Sequence, residues 1–185
     1  YCGTMTAAPS AWAARLVPPE ASALLCTFAD YVGLAMLTPA LPFYLAELGV
    51  ADVELWAGVV LSAQYAGVVL GNPAWGVVAD RWGAKRALLG AMVGDTVFFG
   101  LTAAALTPAL LVAVRFCAGA CSPLVSALAL IFELLRDAQV AKGIGRYSLA
   151  ICGGYVVGAA AVGALYAALG FGGMQLIAAA VAGVA

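Results

Sequence analysis

The sequence predicts an all-α polytopic membrane protein with six transmembrane helices, on two observations. First, 65% of its residues are hydrophobic and only 9% are charged, whereas a soluble domain is about half apolar and about a quarter charged. Second, uncharged runs of membrane length recur along the chain, and a helix needs roughly 20 mainly apolar residues to cross a bilayer. These runs are 55–79, 96–114, 116–132 and 147–185.

Charge or turn-forming residues bound each predicted helix. An acidic loop at 46–54 separates the first two helices, and a charged turn at 76–86 separates the second from the third. A threonine-proline turn at 107–108 precedes the fourth helix. A second charged loop at 136–146 precedes the fifth helix. This helix ends at the glycine-rich stretch 170–173.

These boundaries predict two regions, an N-terminal extension at 1–20 and a six-helix membrane domain at 21–185. The sixth helix would hold only about 12 residues, or about 18 Å, so the chain is expected to be cut inside it. The predicted helices are about 21–45, 55–78, 86–106, 109–135, 144–169 and 174–185.

Basic residues predict the orientation of these helices. Short loops rich in lysine and arginine stay in the cytoplasm, and here such loops alternate with loops that hold no base. The N-terminus and the loops 79–86 and 136–146 are therefore predicted to be cytoplasmic, in a cellular membrane that the sequence leaves open. The basic residues on this side are Arg15, Arg81, Lys85, Arg86, Arg136, Lys142 and Arg146.

The composition also excludes several classes of function. The chain has no histidine, which removes the commonest metal ligand and the Ser–His and Cys–His catalytic pairs. The cysteines lack zinc-type spacing, and a net charge of −1 implies no nucleic-acid partner. The sequence therefore predicts no enzyme, no metal site and no cofactor.

A glycine pattern recurs in the second and fifth predicted helices. Gly67, Gly71 and Gly76 have the same spacing as Gly154, Gly158 and Gly163. This repetition predicts two three-helix repeats, and an odd number of helices gives the repeats opposite topology. Glycines four residues apart also allow close helix packing. Chance is the alternative explanation in a chain with 22 glycines.

The charged turn resembles the loop signature of the major facilitator superfamily, at the same place between the second and third helices. Val78 stands for a leucine of that signature, and Ala84 stands for one of its bases. The matching residues are Gly76, Ala79, Asp80, Arg81, Gly83, Lys85 and Leu88.

Other stretches are similar to parts of the same superfamily. The pattern Leu111-x-x-x-Arg115-x-x-x-Gly119 resembles its fourth-helix motif. The stretch from Asp30-x-x-Gly33 to Pro39-x-x-Pro42 is similar to the first helix of drug:proton antiporters such as tetracycline exporters and vesicular amine transporters. Asp95 lies where the tetracycline exporters have an aspartate. The fifth-helix antiporter motif is met only in part, because Ala159 replaces its proline.

The resemblance implies the N-terminal six-helix half of a major facilitator fold, whose partner is the missing C-terminal six-helix half. It also implies that the turn controls the conformation rather than binding the substrate. The residues of this conformational-gating loop are Gly76, Asp80, Arg81, Gly83, Lys85 and Arg86.

Three charged residues inside predicted helices are the candidates for proton and substrate coupling: Asp30, Asp95 and Arg115. A charge inside the membrane is costly unless it faces a partner or a water-filled cavity. Asp30 could exchange a proton for a cationic substrate, or Arg115 could neutralise it permanently. Asp95 could equally be structural, and Arg115 could instead fix packing.

We therefore expect a secondary transporter of a small organic solute, whose partners are the lipid bilayer, the solute and protons. The subtype that the resemblance implies is proton-coupled antiport of drug-like or cationic compounds. A uniporter or symporter of another solute is the first alternative. A membrane receptor built on the same fold, without transport, is the second.

Overall fold

The computed structural model describes residues 20–135 and 137–185, and within these ranges every regular element is an α-helix. Five stretches are long and apolar enough to cross a membrane: α1, α2, α3, the α4–α5 pair over Pro108–Leu134, and Gln139–Val184 within α6. The helices are α1 (Ala21–Glu47), α2 (Val53–Trp82), α3 (Ala84–Ala103), α4 (Pro108–Ala120), α5 (Leu124–Leu134) and α6 (Asp137–Val184).

The charged turn is shorter than the sequence predicts. The predicted helices end at about 78 and restart at about 86, but α2 continues to Trp82 and α3 begins at Ala84. Gly83 alone makes the turn, at φ 90° and ψ 146°, a conformation that glycine adopts without steric cost. Hydropathy marks where a helix leaves the membrane, whereas backbone hydrogen bonding continues beyond that point.

The predicted fourth helix is broken in the structure. The sequence predicts one helix over about 109–135, but α4 ends at Ala120 and α5 begins at Leu124. Proline has no backbone N–H and biases the preceding residue away from the helical region, so Pro123 interrupts the helix. Cys121 closes α4 by donating its N–H to carbonyls of the preceding turn.

The last helix starts earlier and turns more tightly than predicted. It begins at Asp137 rather than near residue 144. Its one non-helical residue is Gly170, at φ 67° and ψ −177°, so a single residue makes the bend that the sequence spread over 170–173. We call the two parts of α6 the first arm (137–169) and the second arm (171–184).

Contacts show that the chain reverses at Gly170. The first arm runs parallel to α1, from an ion pair of Arg146 with Glu20 to a 2.8 Å hydrogen bond from Tyr166 to Glu47. The second arm returns along α3, beginning beside Ala103 and ending beside Thr96. The six-helix count stays a prediction, because the second arm is shorter than a full span.

Glycines bring two pairs of helices close together. A methyl group at Gly67 or Gly71 of α2 would overlap backbone atoms of α4, and one at Gly154 or Gly158 of α6 would overlap α1. Thus α2 packs closely on α4, and the first arm of α6 packs closely on α1, in both cases at two glycines spaced four residues apart. The third glycine of each set, Gly76 or Gly163, has no neighbour within 4 Å of the same hypothetical methyl.

Two apolar clusters fill the bundle, one toward each end. One includes Leu41, Leu45 and Phe171, and the other includes Ala87, Leu88 and Ile131. Between them lies a layer of buried polar residues. Its members include Asp30, Gln64, Asp95, Arg115, Ser126 and Gln175.

Candidate functional site

Three charged side chains from three helices meet in this polar layer. Asp30 of α1, Asp95 of α3 and Arg115 of α4 expose only 6%, 2% and 0% of their surface. The charge of Arg115 interacts with both carboxyls, and Asp95 also interacts with Asp30. The fold thus brings together the three residues that the sequence singles out inside its helices.

An aromatic ring separates α1 from Arg115. Phe99 lies one helical turn after Asp95, and its ring centroid is 4.8 Å from the guanidinium carbon of Arg115. On α1, a methyl group at Gly33 would lie only 2.7 Å from Cζ of this ring. Glycine at that position therefore lets α1 approach α3 closely, which brings Asp30 near the other two charges.

The hydrogen bond that holds Arg115 was not anticipated from the sequence. Its Nη2 donates to Oε1 of Gln175 over 2.9 Å, and both side chains are fully buried. Gln175 lies on the second arm of α6. The signal that could have found it is an amide in the uncharged run 147–185, since polar residues in a span face the interior.

No carboxylate oxygen lies within 4.0 Å of Arg115 in the part of the chain that the structure describes. There Nε and Nη1 of Arg115 and Oδ2 of Asp95 have no hydrogen-bond partner. The three charges are therefore close without forming a contact ion pair.

Asp30 borders a small cavity of about 50 Å³ between α1, α2 and the α4–α5 break. Gln64, Tyr31 and Tyr65 also line it. Asp95 does not reach this cavity, so Asp30 is the carboxyl of the cluster that a solute could contact.

Three tyrosines cluster beside this cavity, and two of them, Tyr31 and Tyr65, line it. The rings of Tyr31 and Tyr155 are 5.4 Å apart, and the hydroxyls of Tyr65 and Tyr155 are 3.4 Å apart. Tyr155 comes from α6, and no pattern in the sequence points to it. A carboxylate beside aromatic faces is a chemical environment that suits an organic cation.

Two other aromatic residues, Tyr44 and Trp75, form hydrogen bonds that join separate elements of the fold to one another. Tyr44 stacks on Phe171 at 3.8 Å and donates its hydroxyl to the carbonyl of Ala105 over 2.7 Å. The indole N–H of Trp75 donates to the carbonyl of Ala120 over 2.7 Å. Neither residue borders the cavity beside Asp30.

Larger clefts lie away from the charged cluster. One of about 350 Å³ lies near Lys85 and the end of α6, and one of about 560 Å³ lies between α1 and the second arm. Aliphatic side chains form most of their walls and no carboxylate borders either. Neither cleft therefore offers an acidic side chain that could attract a cationic solute.

The charged residues of the turn stay outside the cluster. Asp80, Arg81, Lys85 and Arg86 are all exposed. The ion pair found within residues 20–135 and 137–185 joins Arg146 to Glu20 at the same end of the bundle. Across those residues, no three of the Cys, Asp and Glu side chains are grouped to hold a metal ion.

A profile of the major facilitator superfamily matches residues 23–185, which includes the charged cluster and the turn. The chain belongs to this superfamily. It is an integral multi-pass membrane protein, as the apolar spans and the family together indicate.

One relative is named as a transporter and two others are named as multidrug resistance proteins. The chain is 30% identical over 82% of its length to the staphyloferrin B transporter of Staphylococcus aureus, of which it covers 37%. It is 36% identical over 38% of its length to the multidrug resistance protein MdtG of Proteus mirabilis, and 36% identical over 39% to that of Escherichia fergusonii. It covers 18% of each of these two proteins. The chain thus spans well under half the length of these relatives.

Proposed function

We propose that this member of the major facilitator superfamily is a secondary active transporter that exchanges protons for a small organic solute by alternating access. The favoured solutes are cationic, drug-like compounds. The single observation that supports this subtype most is Asp30, a buried carboxyl that borders a tyrosine-lined cavity and has no contact ion pair with Arg115.

Asp30 is the coupling residue in this proposal. A carboxyl in this environment can hold either a proton or the positive charge of a solute, but not both. Binding of the solute then releases the proton, and protonation releases the solute. The nearby charge of Arg115 favours ionised Asp30 during the exchange, because a guanidinium cannot lose its own proton.

Asp95 supports this exchange from behind the cavity. It interacts with both Asp30 and Arg115 but is nearly inaccessible. We infer that it tunes the charge balance of the cluster and does not touch the solute.

The charged turn would control which side of the membrane is open. Asp80, Arg81, Lys85 and Arg86 are exposed, so they are free to meet the C-terminal half expected from the family. Gly83 keeps the turn to one residue and holds these charges at the ends of α2 and α3. Their basic excess supports a cytoplasmic location for this face and for the N-terminus.

A second candidate is transport of another kind of solute. The relative that aligns over 82% of the chain is named for staphyloferrin B, whereas the multidrug relatives align over 38% and 39%. This comparison favours a dedicated substrate, moved by the same cluster as a uniporter, symporter or antiporter.

The test uses the full-length protein in sealed vesicles with an imposed pH gradient. Tetraphenylphosphonium is added, and a dye inside the vesicles reports lumenal pH. We expect solute-dependent proton movement in the wild type and its loss in Asp30→Asn. Asp52→Asn, a change at an exposed acid beyond the end of α1, is the matched control and should transport normally.

Two results would contradict the antiport proposal. Labelled solute that equilibrates without proton movement would favour a uniporter. Proton movement that survives in Asp30→Asn would remove Asp30 from the coupling step.

A further inference from the structure

Gln175 is the neutral hydrogen-bond partner of Arg115, the buried cation of the polar layer among the described residues. Its Oε1 accepts from Nη2 of Arg115 over 2.9 Å, and neither side chain is exposed to solvent. Met174 and Ala178, its neighbours along the second arm of α6, are also buried. The hydrogen bond thus joins the second arm of α6 to α4 within the buried layer.

The choice of an amide over an acid has an electrostatic consequence. A glutamine gives Arg115 a hydrogen bond but leaves its positive charge uncompensated. A glutamate at the same position would form a buried ion pair with Arg115 and cancel the attraction of its charge for Asp30. The neutral partner keeps the charge of Arg115 available to both aspartates.

This hydrogen bond is also a loose restraint. Nε and Nη1 of Arg115, and Nε2 of Gln175, have no partner among residues 20–135 and 137–185. A bidentate carboxylate would have bound two guanidinium nitrogens at once. Arg115 is therefore positioned by one bond, away from contact with either carboxyl.

We propose that Gln175 is a positioning residue for proton coupling: it holds Arg115 close to Asp30 without neutralising Arg115 or letting it pair with Asp30. This inference rests on the proposed coupling role of Asp30. It assigns the second arm of α6 a part in setting the pH at which Asp30 exchanges its proton.

Other charged and titratable groups near Asp30 also affect the pH at which it exchanges its proton. Among the described residues of this group, Arg115 is the permanent cation. The charged and titratable groups are Arg115 from α4, Asp95 from α3, Tyr65 from α2, Tyr147 and Tyr155 from α6, and Tyr31 from α1 itself.

The test compares Gln175→Glu and Gln175→Leu with the wild type in the full-length, reconstituted protein. Infrared spectroscopy follows the carboxyl band of Asp30, assigned by its loss in Asp30→Asn, as a function of pH. In Gln175→Glu the midpoint should move to higher pH, by about one unit or more, because Arg115 is neutralised. In Gln175→Leu it should move to lower pH, because Arg115 loses its acceptor and turns toward the carboxylate.

The opposite directions distinguish positioning from a purely structural role. Gln139→Glu, the same chemical change at an exposed residue of α6, is the control and should leave the midpoint unchanged. If both Gln175 variants shift the midpoint in one direction, or neither shifts it, the inference is wrong. If Gln175→Leu does not fold, an unchanged midpoint in Gln175→Glu alone overturns it.

The two proposals fail separately. Suppose that the wild type moves no protons in the vesicle assay, but the two Gln175 variants shift the infrared midpoint of Asp30 in opposite directions. That result would contradict the proposed function and would still show that Gln175 positions Arg115 relative to Asp30. Coupled transport with unchanged midpoints would contradict only the role of Gln175.

Discussion

The indole N–H of Trp75 in α2 donates a hydrogen bond to the carbonyl oxygen of Ala120, the last residue of α4, over 2.7 Å. This bond lies close to the point where Pro123 interrupts the fourth span, and it joins the C-terminal end of α4 to α2. The Trp75 ring also meets α3, since a methyl group at Gly90 would lie 3.2 Å from it. Trp75 thus joins three helices at the level of the break.

Replacing Trp75 with Phe should destabilise the protein. The substitution keeps a ring against Gly90 but leaves the partly buried Ala120 carbonyl without its donor. The loss should cost about 1 kcal/mol. The measurement is the midpoint of thermal unfolding of the purified transporter in detergent.

The control for this prediction is Trp82→Phe, because Trp82 is 64% exposed and makes no side-chain hydrogen bond within the described residues. It should unfold at the wild-type temperature. Equal midpoints for the two variants would mean that the indole bond adds nothing to stability.

Gly158 and Gly163 give a second comparison within one helix. A methyl group at Gly158 would overlap the Val32 carbonyl and lie 2.8 Å from Cβ of Ala35, whereas one at Gly163 meets nothing within 4 Å. Gly158→Ala should therefore force α6 away from α1 and reduce stability. Gly163→Ala should be neutral, or stabilising by up to about 1 kcal/mol, because alanine favours the helix.

Size-exclusion chromatography after graded heating measures both glycine variants. The fraction that stays monodisperse should fall for Gly158→Ala and not for Gly163→Ala. Similar losses for both would contradict the close approach of α6 to α1.

The charged residues of the site were predictable because they interrupt uncharged runs. An ionisable group inside a membrane span is costly and usually has a function. Asp30, Asp95 and Arg115 could therefore be identified from the sequence before the fold was known. That these three side chains lie close together was harder to predict from the sequence. It depends on Gly33, which admits the ring of Phe99 between α1 and Arg115, and no periodicity in the sequence identifies that contact.

Neutral polar partners and helix ends were the parts that sequence reasoning missed. Gln175 carries no charge and shares its run with many apolar residues, so nothing marks it as the acceptor for Arg115 until the second arm of α6 folds back. The helix ends differ for another reason. Hydropathy reports the membrane boundary, whereas α2 and α6 extend past it with polar residues that form helix readily, such as Arg81 and Lys142.

Gly83 should be sensitive to any side chain, because its φ of 90° is a conformation that other residues adopt only under strain. Gly83→Ala is expected to cost about 1–3 kcal/mol. It should also change the angle between α2 and α3 and so disturb the exposed charges on either side. Thermal unfolding and the rate of solute exchange in vesicles are the two measurements.

Gly100→Ala is the matched control, since Gly100 is helical and a methyl group there meets nothing within 4 Å. It should match the wild type in both assays. If Gly83→Ala also matches the wild type, the turn has another conformation available and the tight geometry is not required.

The tyrosines at the cavity should set the affinity for an organic cation, if the proposed substrate class is right. Tyr31 adjoins Asp30 along α1, and its ring meets that of Tyr155. Tyr31→Ala should raise KM for tetraphenylphosphonium about tenfold, which corresponds to about 1.4 kcal/mol of cation–π attraction. Tyr31→Phe keeps the aromatic face and should stay close to the wild-type value.

The two Tyr31 variants also separate the aromatic contribution from that of the hydroxyl. If KM rises in both, the hydroxyl rather than the ring face contacts the solute. If neither variant changes KM while Asp30→Asn abolishes exchange, the carboxylate alone attracts the solute. In that case the tyrosines shape the cavity without binding the cation, and a smaller or less hydrophobic solute becomes the better candidate.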